Sequence, residues 1–435
     1  MQTRTAIALT LATLVTGCAT GGPTREDLSQ QIRQRTGASL RPQSASTGFE
    51  MAPGVQLGDG LSQRECVALA LYNNAALQAD LVQLDVSRAD LTEAALLPNP
   101  FLSLVLPLGP RQLASYINLP IDWIWQRPRR IALAERELSR VATGLVQNGL
   151  DVARDAQIAW IDTQIATLRE ALLTRGATML AQSRDIAGVR LQAGDIAPGD
   201  VAGFESDAAM GAARAAQSRA EITASFARLR QATGLPMDQS PSLSALETST
   251  QPLPDASTLL RRALAGRPDL RAAEIAIESA SERVGWERSR AWSLIAVLDG
   301  GGNSAQGFGI SPGFRAEIPL FSRNQGGIGR AEAELQRAAW RYVAARQLIE
   351  RELTTALAAH TQALAALQVI ETAELPAAER LVALTRASYE GGDVAYFALL
   401  DAQRRWIDSQ LRALDARATV LRAQVEVARA IGGSL

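Results

Sequence analysis

The chain of 435 residues has no lysine, one histidine, two cysteines and only 5 % aromatic residues. The lack of lysine excludes a Walker A phosphate loop, which needs a Gly-Lys-Ser/Thr core. The single histidine, His360, and the two cysteines provide neither a soft-metal cluster nor a choice of catalytic bases. The net charge of −1 does not favour a nucleic-acid surface. We therefore predict that the chain is not an enzyme, holds no metal cofactor and binds no nucleic acid, and that His360 is a surface helix residue.

The N-terminus has the pattern of an export signal. An apolar run over Ala6–Val15 is followed by Thr16-Gly17-Cys18. The run is too short to cross a bilayer as a helix, and small residues follow it, as in a secretory signal peptide. Val15 to Cys18 resembles a bacterial lipobox, so residues 1–17 are predicted as a lipoprotein signal peptide and Cys18 as the lipidated residue. A signal peptide with an incidental cysteine is the alternative.

The chain contains an internal repeat with an offset of 198 residues. Ala193-Gly194-Asp195 corresponds to Gly391-Gly392-Asp393, and Gly234 corresponds to Gly432. Each Gly-Asp pair follows one long Ala- and Leu-rich stretch and precedes another, so each is predicted to be a sharp turn between two helices. After the signal peptide, we predict an extended N-terminal arm at 18–60, a first repeat at 61–234, a Pro/Ser/Thr-rich linker at 235–255 and a second repeat at 256–435.

Each repeat also contains a segment of period-two alternation, typical of β-strands. These segments predict β-hairpins at about 100–122 and about 291–320, the second with a Gly-rich loop from Gly300 to Gly309. One parity is apolar and the other is largely polar, and tryptophans lie near the strand ends. Strands of this kind cross an outer membrane when tilted. A soluble hairpin with core tryptophans is the alternative.

The remaining segments predict very long helices at about 128–192, 200–233, 326–389 and 394–431. From Ile328 onward an apolar position recurs every seven residues, and the position three later is alanine except at Glu352. This is a coiled-coil heptad in which alanine permits close approach. Pro376 is predicted to kink the third helix, and Ser62 with Glu65 predicts a capping box. The fold class is α+β, with two tandem repeats of helix, β-hairpin and long coiled-coil helices.

Together, the signal with its lipobox, the doubled helix–hairpin–helix plan and the turn signatures resemble the TolC family of outer-membrane efflux proteins from Leu61 onward. The element Arg323-Asn324-Gln325-Gly326 within 319–328, and more loosely 119–122 with 129–132, resemble the cobalt-zinc-cadmium type heavy-metal branch. Trp123-Ile124-Trp125 stands where that branch usually has Leu-Gly-Gly, which departs from its pattern.

The resemblance implies an outer-membrane protein in which three chains form a 12-stranded β-barrel, continued by a periplasmic α-helical barrel. It implies a homotrimer that works with a periplasmic adaptor protein and an inner-membrane pump, here of the resistance-nodulation-division type. Outer-membrane lipid surrounds such a barrel, and the only added group is the covalent lipid on Cys18. The two turns match the tunnel tips that meet the adaptor, namely Ala193, Gly194, Asp195, Gly391, Gly392 and Asp393. A turn without any contact role is the alternative.

The resemblance also assigns a periplasmic gate. Tyr389 matches a tyrosine that helps to hold the family's tunnel shut, but the arginine of that network falls on Val394 here. Asp401 matches one of two acidic positions that ring the tunnel, and the other falls on Ala398. Because the repeat maps Ala398 onto Asp200, we hypothesise that Asp200 and Asp401 together rebuild an acidic constriction, which attracts cations. Solvated acids on a helix surface are the alternative.

The function implied is a passive exit duct of a tripartite efflux system, with heavy-metal cations as cargo. A drug, solvent or type I secretion channel of the same fold is a second possibility. A lipoprotein scaffold that spans the periplasm without a pore is a third.

Overall fold

The computed structural model describes residues 21–43, 47–106, 113–239, 241–246, 253–303 and 307–433. The predicted signal peptide and Cys18 lie outside these ranges. The chain divides into two compact units. The first comprises residues up to Leu28, Ala79–Leu145 and Pro268–Gln347, and the second comprises Ser29–Gln78, Val146–Arg267 and Leu348–Leu435.

The described elements are mostly helical, with one small sheet. In chain order they are α1 (Arg25–Thr36), α2 (Gln63–Asn73), α3 (Ala75–Ala95), β1 (Phe101–Val105), β2 (Leu113–Pro120), α4 (Trp123–Ala193), α5 (Pro198–Thr233), α6 (Ala256–Gly266), α7 (Pro268–Ser289), β3 (Ser293–Asn303), β4 (Gly307–Glu317), α8 (Gln325–Val369), a π-helical segment (Ile370–Glu374), α9 (Leu375–Gly391) and α10 (Tyr396–Ala430).

The first unit contains a four-stranded antiparallel sheet of order β1-β2-β3-β4. Strands β1 and β2 form one hairpin, β3 and β4 form the other, and pairing of Leu119 with Ala296 joins the two repeats. The predicted Gly-rich loop from Gly300 to Gly309 is wrong, because Gly300 pairs with Ile310 and Gly301 with Gly309 inside the ladder. Glycine weakens a strand but does not prevent pairing when both neighbours provide partners.

The register places most of the apolar residues of the four strands on one face of the sheet. Directly opposed residues in an antiparallel pair share a face, so Leu102 lies with Ile117 and Leu298, and Ala296 lies with Phe314. The apolar face consists of Leu102, Leu104, Ile117, Leu119, Leu294, Ala296, Leu298, Ile310, Phe314 and Ala316. The other face carries the polar side chains Ser103, Tyr116, Asn118, Ser293, Asp299, Ser311, Arg315 and Glu317 among a few apolar ones. The predicted alternation is confirmed by this register.

Side-chain and backbone hydrogen bonds fix the end of the sheet where the helices begin. The amide of Ile121 donates to the carbonyl of Leu294 at 2.8 Å, so β2 stays attached to β3 until α4 starts. Asn324 adopts a left-handed conformation with φ of 59°, and its side-chain amide donates to the carbonyl of Glu287 at 2.8 Å and to its carboxylate at 2.7 Å. The Arg-Asn-Gln-Gly element is therefore the point where α8 starts and where its first turn is tied to α7.

The second unit has an apolar core, and the N-terminus of α2 is capped. Leu61, Cys66, Leu69, Trp160 and Leu229 pack together, and the Trp160 indole donates to the carbonyl of Leu61 at 2.8 Å. Burial raises the pKa of the Cys66 thiol, which suits a small apolar core residue. The predicted capping box is confirmed: the amide of Ser62 donates to the Glu65 carboxylate at 2.8 Å, and the amide of Glu65 donates to the Ser62 hydroxyl.

The acid that interrupts the alanine heptad has a structural explanation in the second unit. The Glu352 carboxylate accepts from Arg267 at 2.6 Å and from Arg429 at 3.2 Å, and Arg429 also donates to Asp151 at 2.7 Å. The Arg267 side chain is 1 % exposed, so its charge needs a partner in place. Glu352 thus breaks the apolar seam in order to neutralise a buried arginine.

Two further sequence predictions are wrong in detail. Residues 25–36 form α1 instead of an extended arm, since Ile32 is fully buried and Arg35 donates to the carbonyls of Gly266 and Gly432. His360 is buried and not a surface residue. It lies on α8 one turn before Ala363 and two turns before Leu367, which pack in a core cluster with Val420.

The helix before Pro376 contains a π-helical segment at Ile370–Glu374. Proline has no amide hydrogen and its ring collides with the preceding turn of an α-helix. A wider turn is one way to absorb this local conflict. The structure shows a change of helix type over five residues ahead of Pro376, and the kink itself stays a prediction. By length and composition alone, the described stretch Gln325–Gly391 could cross a membrane; the alanines of the heptad account for its apolar character.

Candidate functional site

The two Gly-Asp turns have the same backbone conformation. Gly194 has φ of 80° and Gly392 has φ of 83°, the left-handed region that favours glycine. The amide of Asp195 donates to the carbonyl of Arg190 at 2.9 Å, and the amide of Asp393 donates to that of Ser388 at 2.9 Å. Both bonds close the helix end as a Schellman motif does, and the two sites are related by the same 198-residue offset as the sequence repeat.

All six predicted tip residues are exposed. Ala193, Gly194 and Asp195 lie at the first turn, and Gly391, Gly392 and Asp393 lie at the second. Their side chains and backbone are free of contacts that would bury them within the described part of the protomer. The surface that a partner could contact at each turn is therefore small, polar and formed largely by main chain. Which partner contacts it stays a prediction.

Tyr389 lies in a cluster of aromatic side chains in the second unit. It is buried, and the Arg190 guanidinium lies 4.4 Å from the centre of its ring. Tyr396 meets Tyr389 edge-on at 6.0 Å and is stacked on Phe204. The cation beside Tyr389 is thus Arg190 from the first repeat, and a gate at Tyr389 stays a prediction. A cation over an aromatic face is attracted by the ring quadrupole.

An ion pair beside this cluster links α5 to α10. Arg404 is paired with Asp207, whose side chain is 7 % exposed while that of Arg404 is 46 % exposed. Burial and the nearby Asp207 carboxylate raise the pKa of the Tyr396 phenol, which therefore stays neutral at any physiological pH. Tyr389, Tyr396, Phe204, Arg190, Asp207 and Arg404 are called the latch cluster below.

A cavity of about 210 Å³ lies beside the ion pair. Its walls include Asp207, Arg404, Arg214 and Ile407, and its floor is formed by Gly176 and Gly211. A Cβ on Gly211 would come within 2.9 Å of the Leu180 side chain, so glycine here permits close helix packing. The cavity is therefore a packing feature where α4, α5 and α10 meet as well as an opening next to the ion pair.

The structure gives the two hypothesised constriction acids separate partners. Asp200 is exposed at the first turn of α5, and its carboxylate accepts from the amide of Ala197 at 3.2 Å. Asp401 is half-exposed on α10 and pairs with Arg405 at 2.8 Å. Each acid thus has a local structural role, and part of the charge of Asp401 is compensated. An acidic ring formed by these residues stays a hypothesis.

The sequence alone did not identify Phe204, Asp207, Tyr396, Arg404 or Arg190. One signal was available. Asp207 lies 12 residues after Asp195, and Arg404 lies 11 residues after Asp393. In two helices that start from equivalent turns, such positions lie at similar distances from the turns, so an acid and a base there are candidates for an ion pair. Among the described residues, no group of three or more His, Cys, Asp or Glu side chains is arranged to hold a metal ion.

Comparison with known proteins identifies what this architecture is similar to. Residues 259–433 match the family model described as outer membrane efflux protein. The chain is 28 % identical over 372 residues to the cobalt-zinc-cadmium resistance protein CzcC of Cupriavidus metallidurans, which covers 83 % of this chain and 88 % of that protein.

Solved structures match the fold over most of the chain. CusC, described as a transmembrane channel, has a TM-score of 0.73 at 17 % identity and covers 91 % of this chain and 98 % of its own. The CmeC outer-membrane channel of Campylobacter jejuni has a TM-score of 0.73 at 16 % identity and covers 86 % of each chain. The open-state MtrE outer-membrane channel of Neisseria gonorrhoeae has a TM-score of 0.70 at 18 % identity, covering 91 % and 97 %. The chain therefore has the fold of these outer-membrane channels.

Because Asp207 is buried, loss of its partner Arg404 is predicted to destabilise the protein more than loss of an arginine in an exposed ion pair. Arg404→Ala leaves the buried Asp207 carboxylate unpaired, and we expect a loss of about 3 kcal/mol in the free energy of unfolding. Arg405→Ala, at the next residue, removes only an exposed pair with Asp401 and is expected to cost less than about 1 kcal/mol. Denaturant unfolding of the two purified variants measures the difference. Equal small effects would show that Asp207 is solvated in the assembled protein.

Proposed function

With the resemblance to the TolC family of outer-membrane efflux proteins confirmed, we propose that this chain forms the outer-membrane channel of a tripartite efflux system. In this proposal it is a passive exit duct, not an enzyme, and it receives substrate from an inner-membrane pump through a periplasmic adaptor. Its cargo is heavy-metal cations. The observation that carries the proposal is the amphipathic four-stranded sheet with two open edges.

The apolar face of the sheet is exposed in the protomer. Phe314 is 82 % exposed and Leu102 is 66 % exposed, and both belong to the face that carries leucine, isoleucine and alanine. A soluble protein rarely leaves such a face in water, whereas outer-membrane strands present apolar residues to lipid and polar residues to the lumen. The lipid-facing side is therefore the apolar face, and Asp299, Ser311 and Arg315 line the interior.

The sheet edges explain why the proposed assembly is a trimer. Strands β1 and β4 each pair on one side only. Within hydrocarbon an unpaired backbone group costs several kcal/mol, so both edges need strands from other chains. A ring closes when β1 of one copy pairs with β4 of the next. Three copies give the 12-stranded barrel that the family resemblance implies, and the long helices continue it as a periplasmic tunnel.

The exposed turns at Gly194 and Gly392 are proposed to contact the adaptor. Their main-chain groups are accessible, and the two turns are equivalent in conformation, so a trimer presents six similar tips. The pump is proposed to be of the resistance-nodulation-division type. The latch cluster lies close to these turns in the sequence, and Tyr389 with Arg190 is proposed to hold the tunnel closed until the adaptor engages.

The N-terminal lipid is proposed to anchor each chain in the outer membrane. Cys18 in its lipobox is the residue that would carry it, and Ala19 after it agrees with outer-membrane sorting. Cys66 is buried in the core and does not compete for this modification. The heavy-metal cargo is supported by the similarity to a protein named for cobalt, zinc and cadmium resistance.

A charge on the apolar face is expected to block insertion. Phe314→Arg places a guanidinium in the lipid-facing band, at a cost of about 2–4 kcal/mol near the bilayer midplane. Ser311→Arg lies on the same strand but on the polar face, opposite Asp299, and is expected to insert normally. Membrane fractionation of cells that express each variant compares them. Insertion of both variants alike would contradict the assignment of the faces.

The acidic constriction is tested by charge removal. The double substitution Asp200→Asn with Asp401→Asn is expected to reduce the cation selectivity of the channel several-fold, because the rings of carboxylate are lost. The reversal potential of single channels in a salt gradient measures the selectivity. Asp195→Asn with Asp393→Asn, which changes the exposed turns, is the control. An unchanged reversal potential in the first double variant would rule out the constriction.

Deletion of the gene in its host tests the cargo. Loss of the channel is expected to raise sensitivity to zinc, cobalt and cadmium and to increase the cell-associated metal, and the intact gene should restore both. Sensitivity to drugs without any metal effect would keep the channel and replace the cargo with drugs or solvents. A purified assembly without conductance would point instead to a scaffold that spans the periplasm.

A further inference from the structure

Three segments that carry aromatic residues and arginine meet at the helical end of the sheet. They are 123–130 at the start of α4, 286–292 at the end of α7, and 321–323 after β4. The sheet register brings them together, because Pro120 is opposite Ile295 and Ser293 is opposite Glu317. Gln126 and Trp125 also donate hydrogen bonds to the carbonyls of Trp292 and Ser289, respectively.

An apolar groove opens between these segments. It has a volume of about 400 Å³, almost no polar lining, and walls formed by Trp125, Ser289, Trp292, Ser293, Leu294 and Ala316. Leu294 and Ala316 belong to the apolar face of the sheet. The groove is therefore continuous with the surface that the proposed function assigns to lipid. Trp292 is 60 % exposed, and tryptophan rings prefer the membrane–water interface.

The groove leads to an unpaired arginine. Arg129 lies four residues after Trp125 on α4, so both project from one helix face. Its guanidinium lies against Gly285, where an added Cβ would come within 2.5 Å of it, and Gly285 precedes the groove residue Ser289 by four positions on α7. Both walls of the groove thus continue by one helical turn to Arg129. The absence of a side chain at Gly285 leaves room for the guanidinium.

The arginines around Arg129 have partners within the described ranges. Arg127 and Arg130 donate to carbonyls at the end of α3, Arg323 donates to that of Pro319, Arg288 pairs with Glu332, and Arg290 pairs with Glu287. In the described part of the chain Arg129 has neither an ion pair nor a hydrogen bond, and it is exposed. The nearest acid on α4 is Glu135, six residues after Arg129, and Asp122, which precedes the helix, accepts from Gln126.

We infer that the groove and Arg129 form a binding site for an anionic phospholipid of the leaflet that faces the periplasm. An acyl chain lies against Trp125 and Trp292, and the phosphate accepts hydrogen bonds from the Arg129 guanidinium, whose planar donors match phosphate oxygens. Arg127, Arg130 and Arg323 donate to carbonyls and not to carboxylates, so they add a positive field that favours an anionic headgroup over a zwitterionic one. The inference rests on the proposed function, because it requires that the apolar face of the sheet lies in a membrane.

Quenching by brominated lipids tests the site. The full chain is reconstituted in phosphatidylcholine vesicles, and tryptophan fluorescence is measured as lipids with brominated acyl chains are added, either phosphatidylglycerol or phosphatidylcholine. The intact protein is expected to bind phosphatidylglycerol several-fold more tightly. Arg129→Gln is expected to abolish the preference. Arg341→Gln, an exposed arginine about four turns into α8, is the matched control and should retain it.

Further measurements separate the alternatives. Ala316→Leu fills the groove and is expected to reduce quenching by both lipids while leaving Arg129 in place. Excess inorganic phosphate should leave the preference unchanged, and competition by phosphate would overturn the lipid site in favour of a site for free anions. Retention of the preference in Arg129→Gln would also overturn it. Conductance of the same vesicles distinguishes the two proposals. Conducting vesicles without a preference for phosphatidylglycerol would contradict only the lipid site. A preference for phosphatidylglycerol without conductance would contradict only the channel.

Discussion

The structure depends on the need to pair every backbone hydrogen-bonding group of the sheet. Four strands give two edges, and an exposed apolar face next to those edges cannot stay in water or enter lipid alone. Pairing with further copies satisfies both conditions. The proposed assembly rests on this requirement, and the alanine-rich heptads allow the close helix approach that such an assembly would need.

The sequence was informative where a period was long and uninterrupted. Period-two alternation located the strands and their faces, as the pairing of Ala296 with Phe314 shows, and the repeated Gly-Asp pairs located both helical turns. The predictions from sequence failed where contacts with residues distant in the sequence determine the structure. Gly300 and Gly301 were predicted to lie in a loop but pair with residues of the neighbouring strand. His360 was predicted to lie on the surface but is buried on the helix that leads into the π-helical segment.

The latch cluster shows why the candidate site was only partly predictable. Tyr389 was assigned by resemblance, and Val394 at the position of the family's arginine predicted an altered polar network. Arg190 from the other repeat lies over the Tyr389 ring, and Asp207 with Arg404 adds a charged contact between repeats. Such contacts join residues about 200 positions apart, so no local pattern reports them. Glu352 is the opposite case. Its interruption of the alanine heptad is visible in the sequence, and its carboxylate pairs with the buried Arg267.

The proposed channel requires that other copies of the same chain complete the sheet. The most direct measurement is the native mass of the assembly after gentle extraction from outer membranes. Three copies, with strands β1 and β4 protected from hydrogen exchange, are predicted because each edge then has a partner. A monomer with freely exchanging β1 and β4 amides would contradict the barrel and the channel built on it.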